Sequence, residues 1–153
     1  MKLYIMRHAQ ASFNAPSDRE RQITPYGIDQ TKELVLEHAN TLTDINLVWS
    51  SDLLRAKQTA GIVTGVLGLD LSEKVFLSPS GNPQRVLSEL QGLSATDCLL
   101  IVSHQPLVGE LVSYLLHGNI QHAHPYTTSE MIALELDMFE PAMATLFKQY
   151  LPS

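Results

Sequence analysis

Two histidines and two arginines lie at or just after short apolar runs of the sequence. Arg7 and His8 directly follow "KLYIM", and His104 directly follows "CLLIVS". Arg55 lies in "SSDLLRAKQTA", shortly after the apolar run that ends near residue 50. An unprotonated imidazole nitrogen can attack phosphorus, and arginine side chains match the oxygens of a phosphoryl group. These residue types indicate phosphoryl-transfer chemistry, provided that the fold brings them together.

The position of Arg55 strengthens this interpretation. A cation in the first turn of a helix opposes the helix dipole and costs a few tenths of a kcal/mol. A bound anion offsets that cost, and the free N–H groups of a helix N-terminus themselves attract anions. A second, cationic histidine can stabilise the charge on the transferring group. Taken singly, each of these residues has an ordinary explanation as a polar group that meets solvent.

The elements that must position these residues are read from apolar runs and capping signals. Thr24 is predicted to cap a helix that begins at Pro25 and ends near residue 39. Ser51 is predicted to cap a helix that runs to Leu67 and is closed by Gly68. A short helix is predicted from Asn82 to near Gly92, and another from Pro106 to Leu116. Strands are predicted over residues 2–6, 46–50, 74–78, 98–103, 130–137 and 144–151.

The alternation of strands and helices predicts an α/β fold. We expect a single domain over residues 1–153, with three α/β/α layers and a mostly parallel central sheet. The last two strands are close enough in sequence to form a hairpin, so one strand near the C-terminus is expected to be antiparallel. Ligands of such sheets bind at the carboxyl ends of the strands. Arg7, His8 and His104 are therefore expected at one edge of the sheet.

Composition and charge exclude several classes of function. The 153 residues are 44% hydrophobic and carry a formal net charge of −6, which argues against nucleic acid as a partner. The apolar runs are too short to cross a bilayer, and the N-terminus has no signal peptide pattern. The single cysteine, Cys98, fits a reducing compartment and is expected to be a buried structural thiol. A cytoplasmic location without membrane contact is the expectation.

Three segments carry a resemblance to a known family. The segment "RHA" after the first strand resembles the R-H-G motif of the histidine phosphatase (phosphoglycerate-mutase-like) superfamily. "SSDLLRAKQTA" resembles the S-x-x-x-R-A-x-Q-T-A segment of that superfamily, and "IVSHQPLVG" resembles the strand end that bears its second histidine. "SDRERQITPYG", "HPYTTSEMIAL" and the short chain resemble more narrowly the SixA-type phosphohistidine phosphatases. The match is collinear over essentially the whole chain.

The resemblance implies a role for each matching residue. His8 is implied to be the nucleophile that becomes phosphorylated, and Arg7, Arg55 and His104 to complete the phosphate pocket. Asn14 stands where many relatives place an asparagine near the phosphate. The implied activity needs no cofactor and no metal. Two further residues match the SixA-type pattern as substrate-binding candidates, namely Asp18 and Arg21.

One residue departs from the family pattern. Ala9 stands where the relatives usually have glycine after the nucleophile. Alanine is tolerated there if its φ is negative, and its methyl group indicates a different amount of room beside the backbone.

The segment that usually supplies a general acid contains no carboxylate. Larger relatives that cleave phosphate esters use a Glu or Asp after the third strand, where this chain has "FLSPSGNPQR". Glu89 is expected to be solvated, which leaves Asp18 and Glu20 as the near candidates. A proton donor accelerates the loss of an alkoxide by roughly 10²–10⁴-fold, whereas the imidazole of phosphohistidine leaves more readily.

A phosphohistidine on a signalling protein, such as a histidine-containing phosphotransfer domain, is therefore the predicted substrate. Two alternatives stay open. One is a phosphatase for small phosphate esters, with Asp18 or Glu20 as its acid. The other is a non-catalytic module that binds phosphoproteins. The histidine-rich tract over residues 117–124 has no completing carboxylate or cysteine pattern for a metal, and it is expected to border the pocket or to be merely polar.

Overall fold

The computed structural model describes all 153 residues and is centred on a six-stranded sheet. The strands follow the order β3-β2-β4-β1-β5-β6 across the sheet. Only β5 is antiparallel to the others, which confirms the predicted α/β fold with one antiparallel strand near the C-terminus. The strands are β1 (Lys2–Arg7), β2 (Leu47–Ser50), β3 (Leu71–Glu73), β4 (Cys98–Ser103), β5 (Met131–Leu136) and β6 (Ala144–Tyr150).

Four helices cover the two faces of the sheet. They are α1 (Pro25–Glu37), α2 (Leu54–Leu67), α3 (Pro83–Leu90) and α4 (Leu107–His117). Buried side chains of α1 and α2 form one core with the sheet, and those of α3 and α4 form a second core on the opposite face. The predicted three layers are therefore present. None of the four helices is both long and apolar enough to cross a bilayer.

The helix ends follow the capping signals in most places. The Thr24 side chain accepts a hydrogen bond from Gly27 N–H at the start of α1, and the Asn82 side chain accepts one from Arg85 N–H at the start of α3. Gly68 ends α2 in the left-handed conformation, with φ of 70°. These ends were all expected, since each residue has the side chain or the backbone freedom that its position requires.

Two of the predicted elements are wrong. The third strand lies at Leu71–Glu73, and the predicted segment 74–78 contains a 3₁₀ turn at Val75–Leu77 instead. Leu77 turns into the core while Val75 stays exposed, so the apolar run reflects one buried anchor in a turn. Ser51 does not cap α2, because the helix begins three residues later. The Ser51 hydroxyl instead accepts a hydrogen bond from Leu53 N–H, before the helix starts.

Cys98 begins the central strand β4 and is 6% exposed, as expected for a structural thiol. Burial raises the pKa of this thiol to about 12. The thiolate is therefore scarce at neutral pH, and the side chain serves as a small apolar group of the core.

The central pair β1 and β4 creates the crevice at the sheet edge. The two strands pair in parallel, with Arg7 opposite Ser103 at their carboxyl ends. After β1 the chain continues to α1 on one face of the sheet, and after β4 it continues to α4 on the other face. Because the two connections diverge, an opening is left between them, which is the usual place of a ligand site in α/β sheets.

Helix α1 contacts the loop that follows β1 through a glycine. A Cβ atom on Gly27 would lie 2.6 Å from the backbone oxygen of Gln10 and 3.3 Å from the Cβ of Ala9. Ala9 is fully buried and is not among the residues with positive φ, so its methyl group fits without strain. The alanine that departs from the family pattern therefore packs against a helix position where only glycine leaves enough room.

We predict that Gly27→Ala destabilises the protein by about 1–3 kcal/mol, because the added methyl group must push the Gln10 backbone away. Gly61→Ala is the matched control, since a Cβ on this α2 residue meets no atom within 4 Å. The control is expected to be neutral or stabilising by up to about 1 kcal/mol. Urea unfolding monitored by circular dichroism measures both. Equal stability of the two variants would contradict the close approach of α1.

Candidate active site

His8 lies one residue beyond β1, and its ring is deeply buried. The residue is 7% exposed, and its backbone N–H continues the β1–β4 pairing by donating to the Ser103 carbonyl at 2.9 Å. The ring Nδ1 lies 2.7 Å from the carbonyl oxygen of Ala9. A carbonyl can only accept, so Nδ1 carries the proton of the neutral ring. The other nitrogen, Nε2, then bears a free lone pair.

His104 lies beside His8 at the end of the neighbouring strand. It is 1% exposed, and the two ring centroids are 5.1 Å apart. Its Nε2 lies 2.8 Å from Ser51 Oγ, which also accepts a hydrogen bond from Leu53 N–H. The serine can still donate its own proton to His104 Nε2, and in that tautomer the neutral ring carries its proton on Nδ1. The parallel pairing of β1 with β4 brings the two histidines together, as the sequence predicts.

Burial keeps both imidazoles neutral. Burial and, to a smaller extent, the nearby Arg55, Arg7 and Arg21 guanidinium groups together lower the pKa of His8 to about 4, against the opposing effect of the Ala9 carbonyl. Burial likewise lowers the pKa of His104 to about 3, assisted by His8 and Arg55. A neutral His8 is the form that can act as a nucleophile. His104 would become cationic only when a negatively charged group enters the site.

Arg55 is the second residue of α2 and is 5% exposed. It therefore lies in the first helical turn, as expected. Its Nη1 donates to the backbone oxygen of Asp18 at 2.8 Å, and its Nη2 lies 3.3 Å from Asp18 Oδ2. The loop between β1 and α1 thus holds the guanidinium group in place.

Arg7 is held by the segment that precedes β5. Its Nη1 donates to the Tyr126 carbonyl at 2.8 Å. Ser129, which has a φ of 64°, donates its backbone N–H to the carbonyls of Arg7 and His8. A left-handed backbone at a serine is uncommon and requires support from its surroundings. Here the two carbonyls at the end of β1 and the hydrogen bond between the side chains of Ser129 and Thr31 supply it.

Three buried polar atoms of these residues have no hydrogen-bond partner. They are Arg7 Nε, Arg55 Nε and His104 Nδ1, and they make up half of the six such atoms in the structure. Leaving a buried donor unpaired costs about 1–3 kcal/mol. A phosphoryl group offers acceptor oxygens that match such donors, which explains why they are retained. No cluster of three His, Cys, Asp or Glu side chains is arranged to hold a metal ion.

The three less specific candidates lie at different places. Asp18 contacts Arg55 and Arg21, and Arg21 also donates to the backbone carbonyls of Ala11 and Ser12. Both residues therefore belong to the rim of the site. Asn14 is exposed, and the hydrogen bond that it makes joins its backbone N–H to Ser12 Oγ. Its amide side chain makes no hydrogen bond within the protein, and its place near the phosphate stays a prediction.

Sequence reasoning missed three residues that position the site. Ser51 orients His104, and Thr59 joins two parts of the site by accepting from Ala9 N–H and donating to the Arg55 carbonyl. Glu130 is 1% exposed, accepts from Thr127 N–H and binds His124, so it secures the segment that holds Arg7. Ser51 and Thr59 lie inside "SSDLLRAKQTA", but their partners are distant in sequence. The histidine-rich tract thus contacts this supporting segment through His124.

The fold and the strand-end residues together define a phosphatase of the histidine type. The family model of the histidine phosphatase superfamily (branch 1) matches residues 3–77, and the chain belongs to this superfamily. The resemblance seen in the sequence is thereby confirmed.

More narrowly, the chain is similar to the SixA proteins. It is 35% identical over 141 residues to the phosphohistidine phosphatase SixA of Escherichia coli (strain K12). This alignment covers 90% of this chain and 86% of that protein. It is 33% identical over 126 residues to the phosphohistidine phosphatase SixA homolog of Haemophilus influenzae, and that alignment covers 75% of this chain and 77% of the homolog. The structure of the protein histidine phosphatase SixA complexed with tungstate matches with a TM-score of 0.88 at 34% identity, over 99% of this chain and 97% of that one.

We predict that the protein becomes less stable as the pH is lowered, because its two buried histidines are neutral. Their pKa values lie near 4 and 3 in the folded protein and near the ordinary 6.5 when unfolded, so the unfolded chain binds more protons below pH 6.5. Each histidine should therefore lower the free energy of unfolding by about 1 kcal/mol as the pH falls from 7.5 to 5.5. Urea unfolding in phosphate-free buffer measures the loss. His8→Gln should remove about half of it, whereas His122→Gln, which alters an exposed residue, should leave it unchanged. If the wild type and His8→Gln lost equal stability over this pH range, the buried neutral state of His8 would be contradicted.

Proposed function

We propose that this chain is a phosphohistidine phosphatase and that residues 1–153 act as one histidine phosphatase domain, in which His8 takes the phosphoryl group. The observation that carries this proposal is the hydrogen bond from Nδ1 of the buried His8 ring to the Ala9 carbonyl. It fixes the tautomer in which Nε2 is the nucleophile. The similarity to SixA supports the substrate class.

In the first step, the Nε2 lone pair of His8 attacks phosphorus and forms a P–N bond. The substrate phosphohistidine carries a proton on its other ring nitrogen, so that when its P–N bond breaks and the electron pair returns to the leaving nitrogen, the product is a neutral imidazole. Arg7 and Arg55 bind the phosphoryl oxygens, and His104 donates from Nδ1. In the second step, water attacks phosphorus, phosphate leaves, and Nε2 regains its lone pair. The tungstate-bound SixA supports an oxyanion pocket of this kind. The reaction requires no cofactor and no metal.

The proposed substrate is a protein that bears phosphohistidine, such as a histidine-containing phosphotransfer domain. The state of the nearest carboxyl supports this choice over phosphate esters. Although partial burial opposes it, the Arg55 and Arg21 guanidinium groups hold the pKa of Asp18 below its ordinary value. An ionised carboxyl has no proton to give to a leaving alkoxide. Glu20, the other candidate, is exposed and accepts a hydrogen bond from Ser17.

The nucleophile is tested with His8→Ala. We expect phosphate release from a phosphorylated phosphotransfer domain to fall by at least about 10³-fold, because the covalent intermediate cannot form. An alkaline quench should trap a ³²P-labelled, acid-labile phosphoenzyme in the wild type and not in the variant. The control is His122→Ala, which alters an exposed histidine away from the crevice. Release that persists in His8→Ala would refute the covalent mechanism, and absence of any phosphoenzyme in the wild type would favour the non-catalytic binding module.

The ester alternative is tested with Asp18→Asn and Glu20→Gln. If neither carboxyl is a general acid, each variant should change kcat/KM for phosphohistidine and for a sugar phosphate by the same factor. Any shared loss then reflects the contact of Asp18 with Arg55. Steady-state rates on both substrates measure the ratio. A selective loss of ester hydrolysis in one variant, with the wild type turning over esters efficiently, would instead identify the acid of an ester phosphatase.

A further inference from the structure

Phe13 is the most exposed large hydrophobic residue of the protein, at 86%. It lies five residues after the nucleophile, in the loop between β1 and α1. Isolated exposed apolar residues are common and need no explanation by themselves. Phe13 differs from them because of what it contacts and how near that contact lies to the phosphate-binding arginines.

One face of the Phe13 ring is covered by Arg21. The guanidinium carbon lies 4.1 Å from the ring centroid, which is a cation–π geometry. Arg21 is itself held by the backbone carbonyls of Ala11 and Ser12 and by the Asp18 carboxylate. One face of the Phe13 ring therefore rests on the fixed Arg21 guanidinium group, while most of the ring surface is exposed.

A short chain of contacts connects Phe13 with the site. Arg21 pairs with Asp18 Oδ1, and Asp18 pairs through Oδ2 with the buried Arg55. Phe13 therefore stands on the rim of the pocket, and Arg55 lies inside it. The charges beside the ring are compensated, since Arg21, which covers the ring, is paired with Asp18. An apolar centre surrounded by compensated charges is the arrangement typical of protein–protein contacts.

We propose that Phe13 is a specificity-determining residue that packs against the surface of the protein substrate beside its phosphohistidine. The inference rests on the proposed function, because a substrate whose phosphoryl group enters the pocket must lay its neighbouring surface over this rim. A supported aromatic ring loses little conformational freedom on contact and is the kind of side chain that contributes most to binding. A small phosphorylated imidazole lacks the neighbouring protein surface that would pack against the ring.

The chain contains a matched control. Phe147 on the edge strand β6 is 56% exposed and has a lysine, Lys2, 4.4 Å from its ring centroid. It shares the exposure and the cation of Phe13 but lies at the far edge of the sheet. Phe13→Ala, Phe13→Leu and Phe147→Ala are compared on two substrates. The first is a phosphotransfer domain phosphorylated on histidine by phosphoramidate, and the second is phosphoimidazole.

For Phe13→Ala we expect kcat/KM on the phosphorylated domain to fall about tenfold, mainly through KM, and the rate on phosphoimidazole to stay within twofold. Phe13→Leu should recover most of the loss, and Phe147→Ala should match the wild type on both substrates. A loss in Phe13→Ala that is equal on both substrates would overturn the inference, because the ring would then act through Arg21 on the pocket. No loss on either substrate would overturn it as well.

Failure of the proposed function gives a different result. In that case the wild type itself leaves the phosphorylated domain and phosphoimidazole intact, whichever residue occupies position 13. A wild type that hydrolyses both substrates and a Phe13→Ala variant that does so equally well would refute the role of the ring alone.

Discussion

The parallel pairing of β1 with β4 is the constraint on which the site depends. The register that sets Arg7 opposite Ser103 places the next residue of each strand side by side, so that the His8 and His104 rings meet at 5.1 Å. A shift of one residue would turn alternate side chains of a strand to the other face and move one histidine away from its partner. The interior positions of β4 are all buried, so packing against both cores keeps this register.

In the proposed function, a dianion completes the arrangement of charge around this pair. Burial holds the imidazoles neutral, while two guanidinium groups stand beside them with unpaired donors. The phosphoryl group of the proposed substrate would accept hydrogen bonds from these donors and offset the positive charge. At the rim, the Asp18 carboxylate offsets part of the positive charge through its contact with Arg55.

Much of this organisation could be predicted from the sequence, because it depends on local signals. Apolar strands followed by His8 and His104, and Arg55 at a helix start, are visible as residue types at element ends. The errors have physical reasons. Residues 74–78 contain an apolar run typical of a strand, but the run forms a turn in which Leu77 is the one fully buried residue. The serine before α2 orients His104 instead of capping the helix. Positioning by tertiary contacts leaves no periodic pattern, so Thr59 and Glu130 were visible only in the fold.

The buried state of Cys98 has a consequence for how such an enzyme responds to oxidants. Phosphatases that use a cysteine nucleophile need a reactive thiolate, and peroxide inactivates them through that same thiolate. Here the only sulfur that could form a thiolate is 6% exposed, and the pKa of its thiol is raised to about 12. The group that carries the phosphoryl chemistry is an imidazole, which peroxide does not convert into a sulfenic acid. In the proposed mechanism, dephosphorylation therefore does not depend on a thiolate that peroxide could inactivate.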